Sequence, residues 1–145
     1  MFRTAAVVAV LATSIASCTR RLTETEAGDA SIEELRAARA AMTDLGNVDF
    51  GIDREPYAER LITQAGSKLG WPEEDTNRAA KGIAWKGMTR DQLWWSWGPA
   101  WKEIPPSDGV PETWEWGPWH LGEPRRAATL DGDVVTRVTV NPPPG

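Results

Sequence analysis

Chemically reactive side chains are scarce in this chain. Its 145 residues include one cysteine, Cys18, and one histidine, His120. A single cysteine excludes a disulfide within the chain, and a single histidine with no cysteine near it does not supply a zinc ligand set. Phosphate-binding glycine loops and the Gly-x-Ser-x-Gly motif do not occur either. We therefore expect a protein that is not an enzyme and that uses no cofactor, no metal and no small-molecule substrate.

Clustered positive charge is also lacking. The chain has 16 basic and 21 acidic residues, which gives a net charge of −5. Proteins that bind nucleic acid usually present a basic face to the phosphates, so the sequence predicts no nucleic-acid partner. It also indicates that any attachment to a membrane depends on a lipid and not on a polybasic segment.

Long apolar runs are limited to the N-terminal segment. Residues 5–16 are apolar or small and follow Arg3, but the run is shorter than the about 20 residues that cross a bilayer as a helix. This pattern is typical of a secretory signal peptide over residues 1–17.

The signal peptide ends in Ile15-Ala16-Ser17-Cys18, which resembles the bacterial lipobox, whose cysteine accepts diacylglycerol. We therefore expect Cys18 to carry a lipid. The next residue is Thr19 and not the aspartate associated with inner-membrane retention, which favours the periplasmic side of the outer membrane. An ordinary secretory leader followed by an unrelated cysteine is the alternative interpretation.

Helical patterns dominate the first half of the mature chain. Ser31 and Glu34 form a predicted capping box, followed by apolar residues at helical spacing as far as Leu45 and a glycine stop at Gly46. A second helix is predicted from Pro56 to Gly70, and a shorter one over 73–81. The predicted organisation is a signal peptide 1–17, a lipidated flexible tether 18–30, a helical hairpin 31–70, an α+β domain 71–141 and a tail 142–145.

The clearest local pattern lies between Gly87 and Pro99. Thr89 and Gln92 form a second capping box, and Met88 and Leu93 occupy the positions of a hydrophobic staple. Gly98 is expected to end the helix in a left-handed conformation, and the proline that follows cannot continue it, so a helix is predicted near 90–97. The residues of this motif are Gly87, Met88, Thr89, Gln92, Leu93, Trp97, Gly98 and Pro99.

Beyond this helix the periodicity changes to that of strands. Trp114 and Trp116 alternate with Glu115 and should share one face of a strand. Residues 127–130 and 134–140 are predicted to form a hairpin, with Val134, Val138 and Val140 facing the helices. The fold class is therefore α+β, with N-terminal helices packed on a small three-stranded antiparallel sheet.

The nine tryptophans all lie between residues 71 and 119. Trp94, Trp97 and one strand face are predicted to fill the core, because each ring buries a large apolar area. Trp95 points away from Leu93 and Trp97 on a helical projection, so it is expected at the surface. Tryptophans of interfaces often dominate binding. The candidate binding residues are Trp95, Trp101 and Trp119.

The motif from Lys86 to Pro99 resembles a signature of the SmpA/OmlA (BamE-like) family of small lipoproteins. Trp114 to Gly117 and Leu130 to Val135 look like the first strand and the terminal hairpin of that family. The resemblance implies a fold like that of the β-lactamase inhibitor protein, with two helices on a three-stranded sheet, and a lipid-anchored, non-catalytic binding role. The helices at 31–69 and the many tryptophans depart from the family pattern.

The leading hypothesis is a lipoprotein of the outer membrane that binds another envelope protein, as an accessory of outer-membrane protein assembly or envelope integrity. One alternative is a glycan- or peptidoglycan-binding module that stacks sugars on Trp95, Trp101 and Trp119. The other is an inhibitor of a periplasmic enzyme that inserts the loop from Ile104 to Val110. Whether the helices of 31–69 pack on the α+β domain or stand apart remains open from the sequence.

Overall fold

The computed structural model describes residues 21–42 and 56–141. The signal peptide 1–17, the lipobox cysteine Cys18, the expected helix end at Leu45 and Gly46, and the tail 142–145 lie outside the described residues. Within them the chain forms five helices followed by one four-stranded antiparallel sheet, which confirms the α+β class.

The helices precede all of the strands along the chain. The helices are α1 (Glu24–Asp29), α2 (Ile32–Ala41), α3 (Pro56–Leu69), α4 (Glu73–Ala80) and α5 (Arg90–Trp97). The strands are β1 (Lys102–Ile104), β2 (Glu112–Trp116), β3 (Arg126–Asp131) and β4 (Val134–Val140), paired in the order β1-β2-β3-β4.

Strand β1 is the difference from the three-stranded sheet that the sequence predicts. It has three residues, pairs Lys102 with Glu115 and Ile104 with Thr113, and ends before two prolines. Lys102 and Glu103 are exposed. A strand this short, charged and at a sheet edge has no apolar alternation, which is the pattern that marks strands in a sequence.

A β-bulge in the terminal hairpin changes which valines face the core. The register moves from Thr129 opposite Arg137 to Leu130 opposite Val135, so Thr136 is an extra residue in β4. Val135 is consequently fully buried, whereas Val134 and Val140 are exposed. The expectation that Val134 faces the helices is wrong, because one inserted residue puts Val134 on the face opposite to Val138. Val140 alternates with Val138 but is the last residue of β4, and it is exposed there, so the expectation that it packs on the helices is also wrong.

The segment predicted as a flexible tether, 18–30, contains helix α1. Thr23 and Glu26 form a capping box at its start, with each side chain bonded to the other residue's backbone amide at 3.1 Å. Ala27 and Ala30 are buried. The expectation of a tether as far as residue 30 is therefore wrong. Alanine, glycine and threonine carry too little apolar surface to make such a short helix visible in the sequence.

Two hydrophobic clusters form the interior, and α5 contributes to both. The helix-side core collects buried residues of α1 to α4 together with Trp95. The sheet-side core contains Leu93 and Trp97 of α5 with apolar residues of β2, β3 and β4. Helix α5 thus lies between the helical layer and the sheet, and the helices of 31–69 pack on it.

A buried arginine joins the helical layer to the end of α5. Arg39 of α2 is 6% exposed. Its Nε donates to the carbonyl of Trp95 at 2.8 Å, and its Nη2 donates to the carbonyl of Ser96 at 3.1 Å. These carbonyls belong to the last turn of a helix, where no intrahelical amide satisfies them and a cation is favoured.

Among residues 21–42 and 56–141, no helix is both long enough and apolar enough to span a bilayer.

Candidate interaction surface

The motif from Gly87 to Pro99 has the local structure that its sequence predicts. Thr89 Oγ1 accepts from the Gln92 amide at 3.0 Å, and Gln92 Oε1 accepts from the Thr89 amide at 2.9 Å. Met88 and Leu93 are both buried in the sheet-side core. Gly98 ends the helix with a positive φ of 81°, a conformation that favours glycine, but its ψ of −179° differs from the left-handed helical value that was expected.

The same motif is bonded to the terminal hairpin. Gly87 N donates to Val135 O at 2.8 Å, Val135 N donates to Met88 O at 2.9 Å, and Arg90 N donates to Asp133 O at 2.7 Å. These three bonds place the start of α5 on β4. The motif residues therefore connect α5 to the sheet and help to hold the fold together.

Trp95 is not a surface residue. It does point away from Leu93 and Trp97, as the helical projection predicts, but it is fully buried in the helix-side core. The Arg36 guanidinium lies 5.0 Å from its ring centroid, and Trp94 meets it edge-to-face at 5.1 Å. The expectation of an exposed Trp95 is wrong, because the helices before α4 cover the side of α5 that a minimal two-helix domain would leave open.

Trp101 and Trp119 are exposed, as the sequence predicts. Their side chains are 45% and 40% accessible, and their ring centroids lie 6.0 Å apart with an angle of 53° between the planes. Gly117 lies against both rings, since a Cβ at this position would approach Trp119 to 2.5 Å and Trp101 to 2.6 Å. Only glycine at this position leaves room for the two rings. Gly117 directly follows Trp116, the buried last residue of β2.

A tight turn two residues after Trp119 exposes a leucine. His120 N donates to Glu123 O at 2.8 Å, and Glu123 N donates to His120 O at 3.0 Å, so Leu121 and Gly122 form the turn between them. Leu121 is 91% exposed and has a φ of 51°, the single positive φ of a non-glycine residue in the described part of the chain. Positive φ at both turn positions normally selects glycine, asparagine or aspartate.

Leu121 was not among the candidate binding residues predicted from the sequence. Gly122, which follows it, was the available signal of a turn between His120 and Glu123, but the segment lacks the flanking strand pattern by which such turns are recognised. We call Trp101, Trp119 and Leu121 together the tryptophan patch. An exposed leucine in strained backbone, two residues after one of a pair of exposed tryptophans, is an arrangement that folding alone does not favour.

A separate open groove of about 460 Å³ lies where the start of α5 meets α2 and the sheet. Its charges are paired with one another: Arg36 binds Asp91 at 2.9 Å, and both Arg90 Nη atoms bind the Glu112 carboxylate at 2.6 Å. The residues lining the groove are Arg36, Thr89, Arg90, Asp91, Trp94, Trp114 and Asp133.

Arg90, which lines this groove, pairs with Glu112, and the pairing shifts the pKa of both groups. The hydrogen bonds to Arg90, with a further one from Trp114 Nε1 at 2.9 Å, lower the pKa of Glu112 from its ordinary value. The Glu112 carboxylate in turn raises the pKa of Arg90. The pair therefore stays ionised at neutral pH and holds the start of α5 against β2.

Across residues 21–42 and 56–141, no group of three or more histidine, cysteine, aspartate or glutamate side chains is arranged to hold a metal ion. His120 is exposed at the turn that carries Leu121.

Comparison with known proteins returns no relative for this chain. No protein-family model matches it, and neither a curated protein nor a solved structure shows significant similarity to it.

Proposed function

We propose that this chain is a lipid-anchored, non-catalytic binding protein of the bacterial envelope. In this proposal Cys18 carries the lipid, the body faces the periplasm from the outer membrane, and the tryptophan patch binds a protein partner. The observation that carries the binding role is the 91% exposure of Leu121 on a left-handed turn, two residues after Trp119, which pairs with the exposed Trp101.

The chemistry of the patch favours a protein partner. Tryptophan is enriched among the residues that dominate protein interfaces, and a neighbouring leucine adds apolar area that a partner can bury. A left-handed backbone at a leucine costs about 1–2 kcal/mol relative to glycine. A tight turn also presents the side chain in a fixed position, which lowers the entropy lost on binding.

The anchor and the setting are supported by the sequence. The lipobox Ile15-Ala16-Ser17-Cys18 supports lipidation, and Thr19 supports the outer membrane. The likeness of the Gly87–Pro99 motif to SmpA/OmlA lipoproteins supports a role as an accessory of outer-membrane protein assembly or envelope integrity.

The glycan-binding alternative would use Trp101 and Trp119 as stacking surfaces. The 53° angle between the two rings means that they do not form one flat platform. Leucine also offers no stacking surface to a sugar. These two features favour a protein over a glycan as the ligand of the patch.

The test compares two single substitutions at turns near opposite ends of β2. Leu121→Asn removes the apolar side chain while keeping a residue that tolerates positive φ. Val110→Asn is the matched control, because Val110 is 52% exposed beside another tight turn. Crosslinking in native membranes with mass spectrometry identifies the captured partner and its yield for each variant.

We expect Leu121→Asn to lower the yield of the captured partner by about tenfold and Val110→Asn to leave it unchanged. Thermal unfolding should show both variants folded. Equal capture by the two variants contradicts the patch as the binding surface. Retention of the wild-type protein on purified cell wall, abolished by Trp119→Ala, would support the glycan alternative instead. A Cys18 that takes up no radiolabelled palmitate contradicts the anchor.

A further inference from the structure

The chain joins the folded body immediately after Arg21. The Leu22 amide donates to the Tyr57 hydroxyl at 3.0 Å, and the Leu22 carbonyl accepts from Arg60 Nη1 at 3.3 Å. The Leu22 side chain packs against the helix-side core. Both backbone groups of Leu22 are thus bonded to the first half of α3.

The residues that follow are held just as firmly. Helix α1 begins at once with its capping box, and Ala27 is fully buried. Lys68 of α3 donates to the Gly28 carbonyl at 2.9 Å. Helix α1 is therefore part of the body, and the freely extensible part of the chain cannot continue past Arg21.

The covalent distance from Cys18 to the body follows from this. Cys18 and Leu22 are four residues apart, and an extended chain spans at most about 3.3–3.6 Å per residue. Their Cα atoms consequently lie within about 14 Å of each other, whatever the conformation between them. A tether extending to residue 30 would instead have allowed a separation of roughly 40 Å.

We propose that, in the lipidated protein, the face formed by the start of α1 and the start of α3 lies against the phospholipid headgroups of the membrane that holds the lipid. This placement rests on the proposed lipidation of Cys18. The diacylglycerol on Cys18 enters the bilayer, so its backbone lies at headgroup level. The short reach then keeps Leu22, Tyr57 and Arg60 within the headgroup region or directly beside it.

The charges on this face are mixed. Arg21 is exposed and stacks over the Tyr57 ring at 4.8 Å, while Glu24 and Glu26 follow in the first turn of α1. Attraction between a basic surface and anionic lipids therefore does not account for the placement. The length of the chain between Cys18 and Leu22 determines it.

The test measures how close α1 is to the bilayer and whether the tether sets that distance. Thr25→Cys introduces a thiol at an exposed position of α1. Because acylation blocks the thiol of Cys18, the new thiol is the single site that a fluorescent dye can label. The labelled lipoprotein is reconstituted in vesicles of phosphatidylethanolamine and phosphatidylglycerol that contain a headgroup energy acceptor. A second protein carries a Gly/Ser linker of about 12 residues between Thr19 and Arg20, which adds an average reach of roughly 20 Å. The matched control carries the same linker after Gly145.

We expect strong energy transfer in the wild-type arrangement, a loss of about half or more with the linker after Thr19, and no change with the linker after Gly145. Equal transfer with and without the linker after Thr19 overturns the placement by the tether. Weak transfer in the wild-type arrangement also overturns it. Mass spectrometry of the N-terminal peptide separates the two proposals, because an unacylated Cys18 overturns the anchor itself, whereas an acylated Cys18 with unchanged transfer overturns only this placement.

Discussion

At the scale of single residues, the ion pair between Arg90 and Glu112 makes the stability of the fold depend on the ionisation of Glu112. Two hydrogen bonds of 2.6 Å join the guanidinium to the carboxylate, and Trp114 Nε1 donates a third to it. Such charge-assisted, bidentate pairs contribute more than ordinary surface ion pairs. They also lower the pKa of Glu112 below its ordinary value of 4.5.

This lowered pKa determines how the pair depends on pH. A carboxyl group whose folded pKa is depressed contributes its stability above the unfolded pKa and loses it as the pH falls through the folded pKa. We therefore expect Glu112→Gln to lower the free energy of unfolding by about 1 kcal/mol at neutral pH. Most of that difference should disappear at a second, acidic pH that lies below the lowered pKa of Glu112.

Urea denaturation at the two pH values measures the effect of Glu112→Gln. Glu103→Gln is the control, because Glu103 is exposed on the edge strand β1 and should change the free energy of unfolding by less than about 0.5 kcal/mol at either pH. A Glu112→Gln difference that is equal at both pH values would show that the ionised pair does not stabilise the fold.

At the scale of secondary-structure elements, the bulge in β4 decides which side chains the hairpin contributes to the sheet-side core. Thr136 is the inserted residue, and its hydroxyl lies 3.0 Å from the Thr129 hydroxyl and 3.3 Å from the Thr129 carbonyl. Because of this insertion, Val135 and Val138 face the core although they are three residues apart.

Two neighbouring valines test the register. Val135→Ala removes two methyl groups from a fully buried site, and we expect it to lower the free energy of unfolding by about 2 kcal/mol. Val134→Ala should cost less than about 0.5 kcal/mol, since Val134 is 46% exposed. Chemical denaturation of both variants gives the comparison, and similar costs for the two would contradict the register with the bulge.

At the scale of the whole molecule, α5 makes the helical layer and the sheet depend on each other. It contributes Trp95 to the helix-side core and Leu93 and Trp97 to the sheet-side core. Arg39 closes the end of α5 from the helical layer, and Gly87 and Arg90 bond its beginning to the terminal hairpin. Neither layer keeps its buried surface if α5 unfolds.

Trp95→Ala should therefore destabilise the entire described structure. We expect a loss of about 3–5 kcal/mol, as for other large-to-small changes in a core, within a single unfolding transition. The NMR methyl signals of Leu35 and Val135, one from each core, should disappear at the same denaturant concentration. Separate transitions for the two signals would show that the layers are independent.

Trp95→Phe is the companion variant. Trp95 Nε1 is buried and has no hydrogen-bond partner in the described structure, so its removal relieves the cost of an unsatisfied donor. Phenylalanine should accordingly cost about 1–2 kcal/mol, less than half of the loss caused by alanine. Equal losses for the two variants would indicate that ring packing does not determine stability at this position.

The predictions from the sequence that were confirmed concern features with a local cause, although the equally local capping box at Thr23 was not predicted. The capping boxes at Ser31 and Thr89 form, because each needs only residues three positions apart. Trp114 and Trp116 share the buried face of β2, because alternation along a strand is a local property as well. Trp101 and Trp119 are exposed as expected, whereas Leu121, the most exposed member of the patch, has no local pattern that marks it.

The sequence by itself determined that helices precede an antiparallel sheet, the ends of α3 and α5, and the lipobox that predicts an anchor at Cys18. Only the tertiary structure decided that Trp95 is buried, that Val135 replaces Val134 in the core, and that the body begins at Leu22. Each of these depends on a partner in another element: α2 covers Trp95, Thr129 of β3 accommodates the bulge in β4, and Tyr57 and Arg60 of α3 bind Leu22. Whether a side chain is buried depends on which other segment packs against it. The hydrophobic periodicity of one segment does not show where that other segment lies.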